Sequence, residues 1–140
     1  MRFRDWKMPR FIHKEHHRYK SEYGWNVWHL TKLKLGKNTD IGYGTLLFAH
    51  HGITIGDNVQ IGANTMIYSY NSENNEASPI VIKEGALIGA GCIIFPGVII
   101  EENEKIPALS VIHVKPCGCR VSKNYSTIVT RHCKEHERCV

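Results

Sequence analysis

The chain has 140 residues, of which 42% are hydrophobic, enough for one domain with a packed core. No apolar run approaches the roughly 18 residues that a membrane helix needs, and the start, "MRFRDWKMPR", is charged with no apolar run after it. An integral membrane segment and a secretory signal are therefore not expected, and a soluble, cytoplasmic protein is. The net charge of +5 is unevenly spread: residues 1–34 carry nine Lys/Arg against three Asp/Glu, residues 35–114 three against eight, and residues 115–140 six against two. Basic ends of this kind suit phosphate groups, acidic glycans or anionic surfaces. No nucleic-acid-binding module is visible, so nucleic acid is not an expected partner.

Residues 1–34 read as a basic N-terminal arm or cap. In "HKEHHRYK", a helix would place His13 beside His16 and His17, as in a metal-binding pair. No further ligand follows, so the reading is a basic arm and not a metal site. Trp25, Val27, Trp28 and Leu30 are expected to cover the open end of whatever follows, because an unpaired strand edge and apolar face need covering.

From Leu35 the chain repeats with a period of six. An Ile opens six unbroken hexads from Ile82: IKEGAL, IGAGCI, IFPGVI, IEENEK, IPALSV and IHVKPC. Upstream the same pattern gives LGKNTD and IGYGTL from Leu35, then IGDNVQ, IGANTM and IYSYNS from Ile55. An aliphatic residue at every sixth place points to one axis if the chain turns a corner each time, and β-branched Ile suits a short strand. Gly follows at positions 36, 42, 56, 62 and 89, where the backbone must bend or pack closely. Such coils cannot bury a core singly and gain stability by stacking on their neighbours.

Over roughly Leu35 to Arg120 this pattern resembles the hexapeptide-repeat acyltransferases. That resemblance implies an all-β fold, a left-handed parallel β-helix of about four coils, with short N-terminal and C-terminal extensions. The expected division is 1–34 arm, 35–120 β-helix and 121–140 basic tail. It further implies a homotrimer that uses acetyl-CoA as acyl donor and acts on a hydroxyl or amino group, most plainly of a sugar or glycan precursor. The alternative is a non-catalytic β-helix serving as a binding or assembly module.

The register breaks twice. Leu47 and Ile55 stand eight apart instead of six, and Ile67 and Ile82 fifteen apart instead of twelve. Solenoids eject insertions on one side, often the binding side. The second break holds "YNSENNEASP", read as an excursion loop, and the family's loop at this place lines the acceptor pocket, which makes Tyr70 and Asn71 candidate acceptor contacts. The first break holds His50 and His51. Counted forward from Leu47, His51 takes the fifth, inward place of a hexad; counted back from Ile55 it takes the third, outward place, which suits a bulky imidazole better.

Acyl transfer needs a base to take the acceptor's proton, and histidine, with an ordinary pKa near 6.5, suits that task. "HGITIGD" resembles the H-x-x-x-[IV]-G-[DN] element of the lipid A and bacillosamine branches of the family, whose His is the general base. His51 matches it and is the leading catalytic candidate; His50 is the weaker one. The maltose and galactoside branch keeps its base in the excursion loop, and here that loop, "YSYNSENN", has no His.

The family's coenzyme A lies between subunits along a small-residue segment that here resembles "IGAGCII", giving Ala90, Gly91 and Cys92 as candidate contacts. Its second element resembles "IPALSVIHVKPCGCRV", with Pro116 on the family's proline and Val114 in place of its usual glycine. Lys115, Arg120 and Lys123 would then face the nucleotide phosphates. A core zinc site like that of the γ-class carbonic anhydrases is not expected, because the repeat region between Leu35 and Ile112 holds no histidines besides His50 and His51. Cys117, Cys119, Cys133, His136 and Cys139 number enough for a zinc site, but their spacing fits no known module, so no metal is expected and the five cysteines are read as thiols.

Overall fold

The computed structural model describes residues 6–124 and the strand Ile128–Thr130. Its regular structure is β apart from one 3-10 turn at Leu30–Lys32. Three strands come first: β1 (Phe11–His13), β2 (Arg18–Ser21) and β3 (Asn26–Trp28), paired antiparallel in sequence order. Four coils of three short strands follow. The first is β4 (Leu33–Leu35), β5 (Asp40–Ile41) and β6 (Leu46–Phe48). The second is β7 (Ile53–Ile55), β8 (Gln60–Ile61) and β9 (Met66–Tyr68). A hairpin, β10 (Tyr70–Asn71) and β11 (Glu76–Ala77), leaves the prism here. The third coil is β12 (Ile80–Ile82), β13 (Leu87–Ile88) and β14 (Ile93–Ile94), and the fourth is β15 (Ile99–Ile100), β16 (Lys105–Ile106) and β17 (Val111–Val114). β18 (Arg120–Lys123) and β19 (Ile128–Thr130) end the described chain.

Stacking the coils makes three parallel sheets. The first is β4-β7-β12-β15 and the second β5-β8-β13-β16; the third runs β3-β6-β9-β14-β17 and is lengthened by β1, β2, β18 and β19 to nine strands. This is the parallel β-helix of about four coils expected from the repeat. Residues 11–28 are sheet-bound, not an arm detached from the prism. His13 lies on β1, and His16 and His17 form the β1–β2 turn with φ 51 and 62, so the helical pairing considered for them does not occur.

Place one of each hexad fills the axis: Ile55, Ile61, Ile67, Ile82, Ile88, Ile94, Ile100 and Ile112 are all buried. Each such side chain contributes on the order of 2 kcal/mol of burial free energy. Place five is also inward and small, and its threonines stay satisfied: Thr45 donates its hydroxyl to the Gly62 carbonyl at 3.0 Å and Thr65 to the Gly89 carbonyl at 3.1 Å. Place four turns the corner with positive φ, filled by Asn38, Asn58, Asn64 and Asn103 or by glycine, because Asn and Gly tolerate the left-handed region; Leu109, at φ 62, is the exception. The glycines at place two have another cause. A Cβ on Gly62 would come 2.6 Å from the Cα of Ala90 in the next coil, so crowding, not φ, demands glycine there.

The ends are closed differently. Trp25 and Val27 are buried at the N-terminal end, Trp25 meeting Phe11 edge-on at 5.3 Å, while Leu30 packs partly against the core. Trp28, expected to join them, instead stacks on Phe48 at 4.5 Å. At the other end the buried pair Arg120–Glu104 ties β18 to the last coil, and Arg120 also donates to the Ile99 carbonyl at 3.0 Å. Cys117 and Cys119 are disulfide-bonded, which corrects the reading of them as thiols; Cys133, His136 and Cys139 lie outside the described residues. No described helix is long and apolar enough to cross a membrane.

Candidate functional site

Both register breaks fall at the same corner, where the third sheet passes to the first. The second break is also longer than the hexad count suggests. β9 and β12 are consecutive sides of the prism, so Ile67 and Ile82 would stand six apart in a regular coil, and the hexad IYSYNS starts on β9 with Ile67 and runs into the excursion from Tyr70. The corner before β4 is lengthened in the same way as the one before β7, which is why Trp28, Phe48 and Tyr68 recur every twenty residues. They lie in one register on the outer face of the third sheet. Their rings stack at 4.5 and 4.6 Å, and Phe95 continues the column at 5.9 Å from Tyr68.

The two extra residues at the first break decide where the histidines point. Ala49 takes an inward place and is fully buried; Gly52, at φ +99, returns the chain so that Ile53 is again buried. His50 and His51 form the bulge between them. His51 is exposed, as the count back from Ile55 expects. Its backbone N–H donates to Ser69 Oγ at 2.9 Å and its ring lies 5.8 Å from Tyr70. Among the described residues no carboxylate is bonded to either ring.

His50 is half-buried, and its Nδ1 is shut off from solvent without a partner. Its ring lies 4.4 Å from His29, which in turn stacks on His17 at 4.8 Å. Lys32 Nζ donates to the His50 carbonyl at 2.9 Å. Burial is the first cause that lowers the His50 pKa from its ordinary value, followed by the charges of His29, His51 and Lys32; a contact with the Phe48 backbone, too loose to be a hydrogen bond, acts the other way. His29 is lowered by burial, then by His17, Lys32 and His51. His29 and His50 are thus biased toward the neutral form, while His51 stands at the solvent side of the cluster. Sequence reasoning missed His29; the only trace was its place just after Trp28, matching His50's neighbourhood one coil later.

The excursion hairpin stands over this corner. Tyr70 approaches both His50 and His51, and its hydroxyl donates to Asn75 Oδ1 at 2.9 Å. Asn71 Oδ1 accepts the Glu73 N–H at 3.1 Å, so that amide shapes the hairpin turn. Beside the hairpin lies a cavity lined by Glu76, Ala77, Ser78, Pro96, Gly97, Val114, Lys115 and Pro116. Lys115 and Pro116, expected at the donor, are therefore at this corner. Lys123 is exposed on β18, and its charge, with that of Lys115, lowers the His113 pKa after the larger effect of burial. Two groups of candidates lie elsewhere. Ala90 and Gly91 are on the second-to-third corner, across the third sheet, and Cys92 is fully buried there with its thiol on the Pro107 carbonyl at 3.2 Å. Arg120 is corrected more sharply: its guanidinium is committed to Glu104 in the protein interior and is not presented to a phosphate.

The family model described as the hexapeptide repeat of succinyl-transferase matches residues 32–69 and 79–108. Both matched stretches carry hexapeptide repeats of that kind. No curated protein matches it. Among solved structures, it is similar to the hexapeptide-repeat-containing acetyltransferase of Vibrio cholerae O1 biovar eltor in complex with acetyl coenzyme A. The TM-score is 0.54 and the identity 19%, over 76% of this chain and 62% of that one. A second structure of the hexapeptide-repeat-containing acetyltransferase from Vibrio cholerae matches with TM-score 0.50 and 24% identity, over 64% of this chain and 62% of that one. The chain thus spans less than two thirds of the proteins whose fold it shares.

Proposed function

We propose that the protein is an acyltransferase that moves an acetyl group from acetyl-CoA to a hydroxyl or amino group of a sugar-like acceptor. His51 takes the acceptor proton as the acceptor oxygen or nitrogen attacks the thioester carbonyl. The new C–O or C–N bond forms, the C–S bond breaks, and the imidazolium returns the proton to the leaving thiolate. His50 packs beside this step, its ring 4.4 Å from His29 and 6.1 Å from Tyr70. Tyr70 contacts the acceptor at the mouth of the corner, with Asn71 beside it. Lys115, Pro116 and Lys123 serve the donor, and Ala90 and Gly91 line its path in a homotrimer, where the second-to-third corner of one copy faces the third-to-first corner of the next.

The observation that carries the reading is the solvent-facing ring of His51 beside the excursion hairpin, 5.8 Å from Tyr70, in a fold shared with an acetyltransferase bound to acetyl coenzyme A. The test is incubation with acetyl-CoA and a panel of sugars, read by mass spectrometry of the acetylated product. Transfer is expected, and His51→Ala is expected to lower kcat by roughly 100-fold or more. Full activity in His51→Ala would remove the base assignment. A second reading, a non-catalytic binding module, is favoured by one observation: Arg120 is buried against Glu104, leaving fewer cations for the nucleotide phosphates.

A further inference from the structure

Ser69 sits where the excursion hairpin begins, and its side chain is fully buried. Its backbone N–H donates to the Phe48 carbonyl at 3.0 Å. The equivalent residue one coil earlier is Ala49, also fully buried, whose N–H donates to the Trp28 carbonyl at 3.2 Å. Backbone and burial are therefore matched, and the hydroxyl is what Ser69 adds. Filling space does not require it, since alanine suffices in the preceding coil.

That hydroxyl has both its roles fixed. It donates to the Phe48 carbonyl at 2.5 Å, so its lone pair faces the other way and accepts the His51 N–H at 2.9 Å. The Ser69 carbonyl accepts the N–H of Ser78, where the hairpin returns, at 3.0 Å. One residue thus joins the exit of β6, the backbone of His51 and both feet of the hairpin. The bulge carrying His51 has few other anchors: Gly52 N–H reaches the Ala49 carbonyl at 3.0 Å, Ile80 N–H reaches the Gly52 carbonyl at 3.1 Å, and Lys32 Nζ reaches the His50 carbonyl at 2.9 Å.

We infer that Ser69 is a positioning residue for His51, holding the imidazole in fixed relation to the acceptor-side hairpin through a side-chain hydrogen bond to the His51 amide. The inference rests on the reading of His51 as the base. A displaced base loses rate without losing donor affinity, because reaction needs near-contact geometry and binding does not.

The experiment uses the full chain and the variants Ser69→Ala and Ser69→Thr, with two readouts. The first is hydrogen exchange at the His51 amide, compared with the core amide of Ile88. In Ser69→Ala, exchange at His51 is expected to rise at least about tenfold while Ile88 is unchanged. The second is steady-state transfer. A kcat about tenfold lower is expected, with the KM for acetyl-CoA within about twofold and both readouts restored in Ser69→Thr. Unchanged protection at His51, or equal acceleration at His51 and Ile88, overturns the inference. Activity lost in His51→Ala but intact in Ser69→Ala overturns it while the acyltransferase reading stands. Absence of any transfer by the unsubstituted protein overturns both.

Discussion

The corners of the prism are built under two different rules. At the second-to-third corner, Gly42, Gly62 and Gly89 lie against Ala63, Ala90 and Ala108 of the next coil so closely that no Cβ fits. Each coil there dictates the path of its neighbour, and an inserted residue has nowhere to go. At the third-to-first corner the coils lean on one another through side chains instead: the ring columns Trp28-Phe48-Tyr68-Phe95 and His17-His29-His50. Side chains tolerate changes of loop length that stacked backbones do not. The two-residue bulge, the hairpin and every candidate proton-transfer group are therefore found on the looser corner, while the rigid ones keep the register.

Four substitutions or conditions test that contrast. The largest loss of stability is expected from Glu104→Ala, at the first-to-second corner of the last coil. It leaves the buried Arg120 guanidinium unpaired, a change that costs about 3–5 kcal/mol in comparable buried pairs, read as a drop in the urea midpoint. Gly62→Ala follows. Its Cβ would press on the backbone of Ala90, and overpacking of this kind costs roughly 1–3 kcal/mol, so a shift at the upper end of that range is expected in the same assay. Gly52→Ala separates the two rules directly. Its Cβ would meet only Pro79 at an ordinary 3.7 Å, and the remaining penalty is the φ of +99, about 1–2 kcal/mol. If Gly52→Ala proves as damaging as Gly62→Ala, the corners do not differ as described.

The smallest effect is a pH dependence set by the histidine column. His29 and His50 have folded-state pKa values below the ordinary 6.5, so the unfolded chain binds protons more readily than the folded one. Their contribution is fully present above the unfolded value and is lost as pH falls below it. The urea midpoint is expected to fall between about pH 7.5 and about pH 5.5, and His50→Gln is expected to flatten that change. A midpoint that rises on acidification would contradict the lowered pKa values of His29 and His50.

Much of this was legible in the hexads. Ile at place one announced the axis, and glycine at place two marked close packing, although the cause proved to be the next coil's backbone rather than a turn conformation. Asn and Gly at place four carried a further signal, the left-handed turn at each corner, that the period of six alone did not expose. The position of His51 was readable because counting back from Ile55 uses only local strand geometry. The status of Arg120 was not: the same arginine can meet a phosphate or a buried carboxylate, and only the fold of β18 onto the last coil chose Glu104. Nor could the sequence show that Cys117 and Cys119 are disulfide-bonded, because pairing depends on distances between chain segments.

The sequence by itself determined the coil, its repeat and the side on which the chain is free to bulge, because a six-residue period is a local property that each hexad states again. Tertiary structure alone decided which side chains meet at that bulge. His17, His29, His50 and Tyr70 come from four different segments, and Ser69 reaches His51 across 18 residues of chain. Contacts of that kind arise from the stacking of one coil on the next, an order in which insertions change the spacing along the chain but leave neighbours in space as they were.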